Sequence, residues 1–170
     1  MHQLLRANTK WNWTAEHDEA FQKVKQLLSD GSFLIGFDAM IPIILTCDAS
    51  QYGIGAVLAH LTREGREAPV AFHSRTMTPT ERTYAEVDCE ALAVISAVKR
   101  FHDYLYGHRF TIVTDHKPLL GLLAPSKVTP QMLSPHLLRW IQLLRAYDFE
   151  LVYPPGSAIG HADGLSRLPV

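Results

Sequence analysis

A chain of 170 residues that is 47% hydrophobic and 19% charged has apolar material for one compact domain and is unlike a disordered segment. A net charge of −1 and a pI near 6.7 argue against a stand-alone nucleic-acid binder, whose surface is usually strongly basic. No apolar run approaches the roughly 20 residues of a membrane span, the N-terminus lacks a signal-like apolar region, and two cysteines make no disulfide framework, so an intracellular protein with reduced thiols is expected.

Residues 13–28 read as an amphipathic helix capped by Thr14, with Ala20, Phe21, Val24, Leu27 and Leu28 on its apolar stripe. Ser29-Asp30-Gly31 stops it. From Ile41 the texture changes to strands over 43–50, 53–61 and 67–76, with Gly53 and Gly55 loosening the first turn. Arg63-Glu64-Gly65-Arg66 makes a polar hairpin tip. A single long helix is expected from Thr80 to Tyr106, opened by Thr78-Pro79-Thr80 and closed by Gly107. A strand at 109–114 and a short helix at 116–123 follow, and then a connector punctuated by Pro125, Pro130 and Pro135. An amphipathic helix at 136–147, a fifth strand from Phe149 to Tyr153, a Pro154-Pro155-Gly156 turn and a last helix at 161–168 complete the order. That order predicts an α/β fold with one five-stranded mixed sheet flanked by helices.

Four acids fall in places where a carboxylate is costly. Asp48 ends the apolar run Ile41 to Cys47, and Asp115 ends the run Phe110 to Thr114. Glu90 shares a helical stripe with Val87, Val94, Ala97 and Phe101, and Asp163 follows the last turn. An unpaired buried carboxylate is expensive, and several together repel, so divalent cations are the usual remedy. An all-oxygen donor set selects a hard cation, Mg²⁺ or Mn²⁺, and no Cys/His spacing suggests zinc.

These segments together resemble the ribonuclease H domain of reverse transcriptases, specifically those of gypsy-type LTR retrotransposons. The resemblance rests on Thr46-Cys47-Asp48-Ala49-Ser50 with Gly53-Ile54-Gly55-Ala56-Val57-Leu58, and on Tyr84 through Glu90-Ala91-Leu92-Ala93. Tyr104-Leu105-Tyr106-Gly107, Thr114-Asp115-His116-Lys117-Pro118-Leu119, Arg139-Trp140 and Ala162-Asp163-Gly164-Leu165-Ser166-Arg167 continue it in family order. It implies a ribonuclease H-like domain over 39–170, with 1–38 resembling the end of the connection that tethers nuclease to polymerase. No Tyr-X-Asp-Asp polymerase motif is present, so the polymerase domain would be a partner in a longer parent protein.

The resemblance further implies an endoribonuclease that hydrolyses the RNA strand of an RNA–DNA hybrid. Asp48, Glu90, Asp115 and Asp163 would hold two Mg²⁺ ions, about 3.5–4 Å apart in such enzymes, with Mn²⁺ able to substitute. Asp48 would bridge both ions, Asp163 would help hold the water-activating one, and Glu90 and Asp115 the one on the leaving group. Ala49, Ser50 and Gly53 are candidate contacts to the hybrid, with Lys117 and Arg139 as candidate phosphate contacts. By the same resemblance the protein would work in the cytoplasm, in a retroelement particle, without a membrane. The alternative is a catalytically silent binding or dimerisation domain of a domesticated retroelement, a class that commonly loses one or more of the acids.

Several residues carry a plainer reading as well. Asp48 and Asp115 could be strand-ending turn residues, and Asp163 could merely cap the last helix. Glu86 lies one turn before Glu90 on nearly the same face, and helical geometry alone does not separate them. Asp88 is expected on the far side of that helix, in solvent, and Trp140 in the core. Many members of the family it resembles carry a histidine on a loop about ten residues before the last aspartate, but the residue ten positions before Asp163 is Tyr153. His161 is therefore open to two readings, a substitute for that histidine or a residue that only meets solvent. His116 is equally open between packing and hydrogen bonding.

Overall fold

The computed structural model describes residues 12–29, 34–123, 133–153 and 160–166. Five strands form one sheet in the order β3-β2-β1-β4-β5, where β1 is Ile43–Ala49, β2 Gly53–Leu61, β3 Glu67–Thr76, β4 Arg109–Val113 and β5 Asp148–Val152. β1 runs antiparallel to β2 and parallel to β4, so the sheet is mixed as expected. Antiparallel β3 and parallel β5 complete it.

The strict alternation of side chains along a strand sorts β1 onto two faces. Ile43, Leu45 and Cys47 enter the main core with Ile54, Ala56 and Leu58 of β2 and Phe110 and Ile112 of β4. Helix α2 (Glu86–Arg100) lays Ala91, Val94, Ile95 and Val98 on this core, and α5 (Pro135–Leu144) adds Leu137, Ile141 and Leu144. Thr46 and Asp48 alternate with the core residues and so take the other face. There α6 (Gly160–Ser166) packs against β2, β1 and β3.

The long helix expected from 80 to 106 is broken in two places. Glu81 accepts two hydrogen bonds from the Arg75 guanidinium and another from the Thr78 amide, which pins a single 3₁₀ turn, Glu81–Thr83, to the end of β3. Tyr84 and Ala85 are then extended, and α2 begins only at Glu86. At the other end Phe101 leaves helical geometry, with φ −104° and ψ 23°, before α3 (His102–Leu105). The helix expected at 116–123 is reduced to α4 (Leu119–Leu122), because Pro118 disfavours helical geometry at Lys117 and supplies no amide hydrogen. α5 starts a residue early, with Ser134 Oγ accepting from the Leu137 amide at 3.4 Å, and stops at Leu144. The Pro154–Gly156 turn, Pro125, Pro130 and Gly31 lie outside the described residues.

At the start of the chain, α1 (Ala15–Ser29) is present, but none of its described residues is buried, and Phe21 on its apolar stripe is 43% exposed. The Thr14 hydroxyl binds His17 Nδ1 at 2.6 Å, while its carbonyl accepts from the His17 and Asp18 amides. Residues 34–38 are instead fastened to the sheet. The Ile35 amide donates to the Pro69 carbonyl, the Asp38 amide donates to His60 Nε2, and Phe37 packs on the rings of His60, Tyr104 and His108. Among the described residues no helix is long and apolar enough to cross a membrane.

Candidate active site

β1 carries Asp48 to the end of the sheet, and parallel β4 brings Asp115 to the same end, just past its last strand residue. The second turn of α2 supplies Glu90. One carboxylate oxygen from each of these three residues lies within 4.8 Å of the others. Asp48 is 5% exposed and Glu90 8%.

Glu90 accepts a hydrogen bond from the Ala49 backbone, yet its Oε2 is buried with no hydrogen-bond partner. Burial, and after it the charges of Asp48, Asp115 and Glu86, push the Glu90 carboxyl up to about 8 from an ordinary 4.5. One oxygen of a buried acid left unsatisfied among other acids is a position that a cation could occupy, since a cation would offset both the desolvation and the repulsion. Hard, all-oxygen donors of this kind suit Mg²⁺ or Mn²⁺. Asp115 departs from the expectation that all four acids are buried. The residue buried at that strand end is Thr114, whose hydroxyl accepts from the His116 amide, and the chain turns outward at Asp115.

Asp163 stands in the first turn of α6, half-buried and outside the three-residue cluster. Its helix is seated on bare backbone. A Cβ on Gly55 would lie 2.5 Å from the Ala162 carbonyl oxygen and 2.6 Å from the Ser166 amide nitrogen. Gly55 pairs directly with Asp48 across the β1–β2 ladder, so this close approach brings α6 beside the first acid. Gly53 is crowded in the same way, its absent Cβ facing the carbonyls of Arg75 and Ser166. Three hydroxyls fix the helix in place: Ser166 Oγ donates to Asp48 Oδ2 at 2.5 Å, Ser50 Oγ to the Ser166 carbonyl at 2.5 Å, and Ser74 Oγ to the Leu165 carbonyl at 2.8 Å.

The structure separates the two rival glutamates. Glu90 faces Asp48, whereas Glu86 is exposed at the rim of the same cleft. Asp88 does not stand in solvent as expected. It is 8% exposed rather than solvated, because α5 packs on that side of α2 and supplies His136, whose Nε2 lies 3.2 Å from Asp88 Oδ2, and Ser134, whose Oγ lies 3.5 Å from Oδ1. The His136 contact is off the line needed for a hydrogen bond, so it works as an ion pair when the ring is protonated. Cys47 and Cys89 are free thiols; burial, and next the charge of Glu90, raise both above their ordinary value.

Beside the acids a cleft of about 300 Å³ is lined by Ala49, Ser50, Gln51, Arg82, Tyr84, Glu86 and Glu90, among others. Ala49 and Ser50 thus border the carboxylates, while Gly53 is occupied with α6. Lys117 is exposed, two residues past Asp115. Arg139 lies apart from the acid cleft, in a second one with Tyr84, Lys99, His136 and Trp140, its Nε donating to the Pro135 carbonyl. Trp140 is only partly buried, against the core. The His116 side chain is half-buried, and that of His161 lies outside the described residues. A larger cavity, of about 650 Å³, is lined by Ile35, Pro42, His60, Leu61 and Arg63. It sits at the opposite end of β1, and no acid cluster lines it. Sequence reasoning singled out neither Gln51 and Arg82 nor the Ser166 hydroxyl. The cleft residues carry no local signal, and the partner of Ser166 is 118 positions away.

Residues 38–147 match the family model of the RNase H-like domain found in reverse transcriptase. Across 170 residues the chain is 34% identical to the Transposon Tf2-3 polyprotein of Schizosaccharomyces pombe, which covers 99% of this chain and 12% of that polyprotein. The chain therefore spans only a small part of the relatives it matches. Among solved structures, the foamy viral protease-reverse transcriptase in complex with RNA/DNA hybrid superimposes with a TM-score of 0.58 at 19% identity, over 86% of this chain and 20% of that one. RNase H1 from Halobacterium salinarum NRC-1 gives a TM-score of 0.55 at 21% identity, over 73% of this chain and 93% of that one. At such identities these two likenesses speak for the fold alone.

Proposed function

The chain belongs to the family of the RNase H-like domain found in reverse transcriptase, and from that premise we propose that it is an endoribonuclease cutting the RNA strand of RNA–DNA hybrids. It would do so as part of a retrotransposon reverse transcriptase of the gypsy type, with the polymerase domain elsewhere in the parent protein and residues 1–38 as the tether. The observation that carries the reading is Glu90, a buried carboxyl with an unpartnered oxygen held against Asp48 and Asp115.

Asp48, Glu90 and Asp115, with Asp163 on the adjoining helix, would hold two Mg²⁺ or Mn²⁺ ions. Bound there, such ions would supply activation of water at neutral pH and stabilisation of the charge that develops on the departing oxygen. The protein's own part is to keep the carboxylates converged and to present the phosphate in line. Exposed Asp115 and half-buried Asp163 stand on the open side, while Asp48 and Glu90 form the enclosed floor. The cleft at Ala49, Ser50, Gln51 and Glu86 would meet the minor groove, where 2′-hydroxyls distinguish RNA from DNA. Lys117 and Arg139 would contact phosphates.

The test is cleavage of a labelled hybrid, beside double-stranded DNA, with Mg²⁺ and with chelator. Cutting of the RNA strand of the hybrid that requires Mg²⁺ and is lost in Asp48→Asn is the expected result. Asn keeps an acceptor for the Ser166 hydroxyl while removing a repelling charge. Metal-free stability should therefore be equal or higher, by about 1 kcal/mol. A wild-type chain that cuts nothing at high enzyme concentration would favour the silent binding or dimerisation domain instead.

A further inference from the structure

We infer that Ser166 is a positioning residue for the metal site, its hydroxyl holding Asp48 and tying to it the helix that bears Asp163. The inference rests on the reading of the four carboxylates as a cation site and adds to it a residue that coordinates nothing. Ser166 Oγ donates to Asp48 Oδ2 at 2.5 Å and lies 3.0 Å from the Asp163 carbonyl oxygen. A hydroxyl has one proton to give, and the charge-assisted bond to a carboxylate is the stronger of the two. The proton therefore goes to Asp48. Ser166 is 1% exposed, so its hydroxyl stands where bulk water does not reach Asp48 Oδ2.

The chemistry of the donor explains the choice of serine. A cationic partner would satisfy Asp48 but would also compete with the cations that the cluster is built for. A neutral hydroxyl takes one of the roughly four lone-pair sites of the carboxylate and brings no charge to compete with a metal ion. The bond also has a mechanical side. Asp163 and Ser166 are three residues apart on α6, hence on one face, and Asp48 belongs to the central strand. Of the three hydroxyls that seat α6, only that of Ser166 ties the helix of the fourth carboxylate directly to the first.

Ser166→Ala, Ser166→Thr and Ser74→Ala in the full chain separate this role from simple anchoring. Ser74 also ties α6 to the sheet, through the Leu165 carbonyl, but its bond does not reach Asp48. Mn²⁺ affinity is read by electron paramagnetic resonance on protein free of nucleic acid, and melting temperature is read in chelator. The expected result is about tenfold weaker Mn²⁺ binding for a folded Ser166→Ala, and close to wild-type affinity for Ser166→Thr and Ser74→Ala. A parallel rise in the Mg²⁺ needed for hybrid cleavage should accompany the loss. Wild-type Mn²⁺ affinity in Ser166→Ala, an equal loss in Ser74→Ala, or a Ser166→Ala chain that does not fold in chelator would each overturn the proposal. A wild-type chain that binds no Mn²⁺ would instead overturn the reading of the acids as a cation site.

Discussion

Two buried carboxylates on one helix have opposite surroundings. Asp88 and Glu90 are both 8% exposed and stand two residues apart on α2. Asp88 faces α5, where His136 and Ser134 offset its burial. Glu90 faces the sheet end, where its neighbours are Asp48 and Asp115 and one oxygen has no partner. Burial alone therefore does not mark a site. On the proposed reading the distinguishing mark is an oxygen that the fold leaves unpartnered, because that deficit is what a cation would supply.

The contrast breaks down if the two acids respond alike to mutation. The largest expected effect is on Glu90→Gln, which should lower the rate of hybrid cleavage at least about a thousandfold, several kcal/mol of barrier, while raising melting temperature in chelator. Calorimetry beside a cleavage assay checks both signs. Next in size is the pH dependence of metal-free stability. The folded state keeps the Glu90 proton up to about 8, whereas the ordinary carboxyl releases it near 4.5. Between those values the native state binds more protons, so stability should fall as pH rises, by a few kcal/mol in all. Thermal unfolding in chelator across that range should show this slope, and Glu90→Gln should flatten it. Smallest is Asp88→Ala, which should cost about 1–3 kcal/mol of stability and leave the cleavage rate within a few-fold of wild type. If urea unfolding shows no loss of stability for Asp88→Ala, the pairing with α5 contributes nothing.

Much of the fold was legible because each strand is bounded by its own punctuation. Alternation through Ile43 to Asp48, together with glycines and the Arg63–Arg66 tip, sets the meander without reference to anything distant. The convergence of Asp48 and Asp115 follows from two apolar strands ending in acids on parallel neighbours. The break before α2 was not legible. It depends on Arg75 of β3 gripping Glu81, and no glycine or proline interrupts the run from Thr80 to Tyr106. The side of the helix that Asp88 takes was foreseen, but not that α5 would be there to meet it. Gly55 reads locally as a loose turn, whereas its lack of a side chain is what lets α6 lie against the sheet.

The fastening of residues 35–38 has a consequence for force. Tension applied at residue 34 would meet the Ile35–Pro69 and Asp38–His60 bonds and the Phe37 stack. These lie near the first residues of β1, and Asp48 lies near its last, about 20 Å away for a strand of this length. A pull from that direction should therefore load the far rim of the sheet before the acids, as a mooring takes the swell before it reaches the deck.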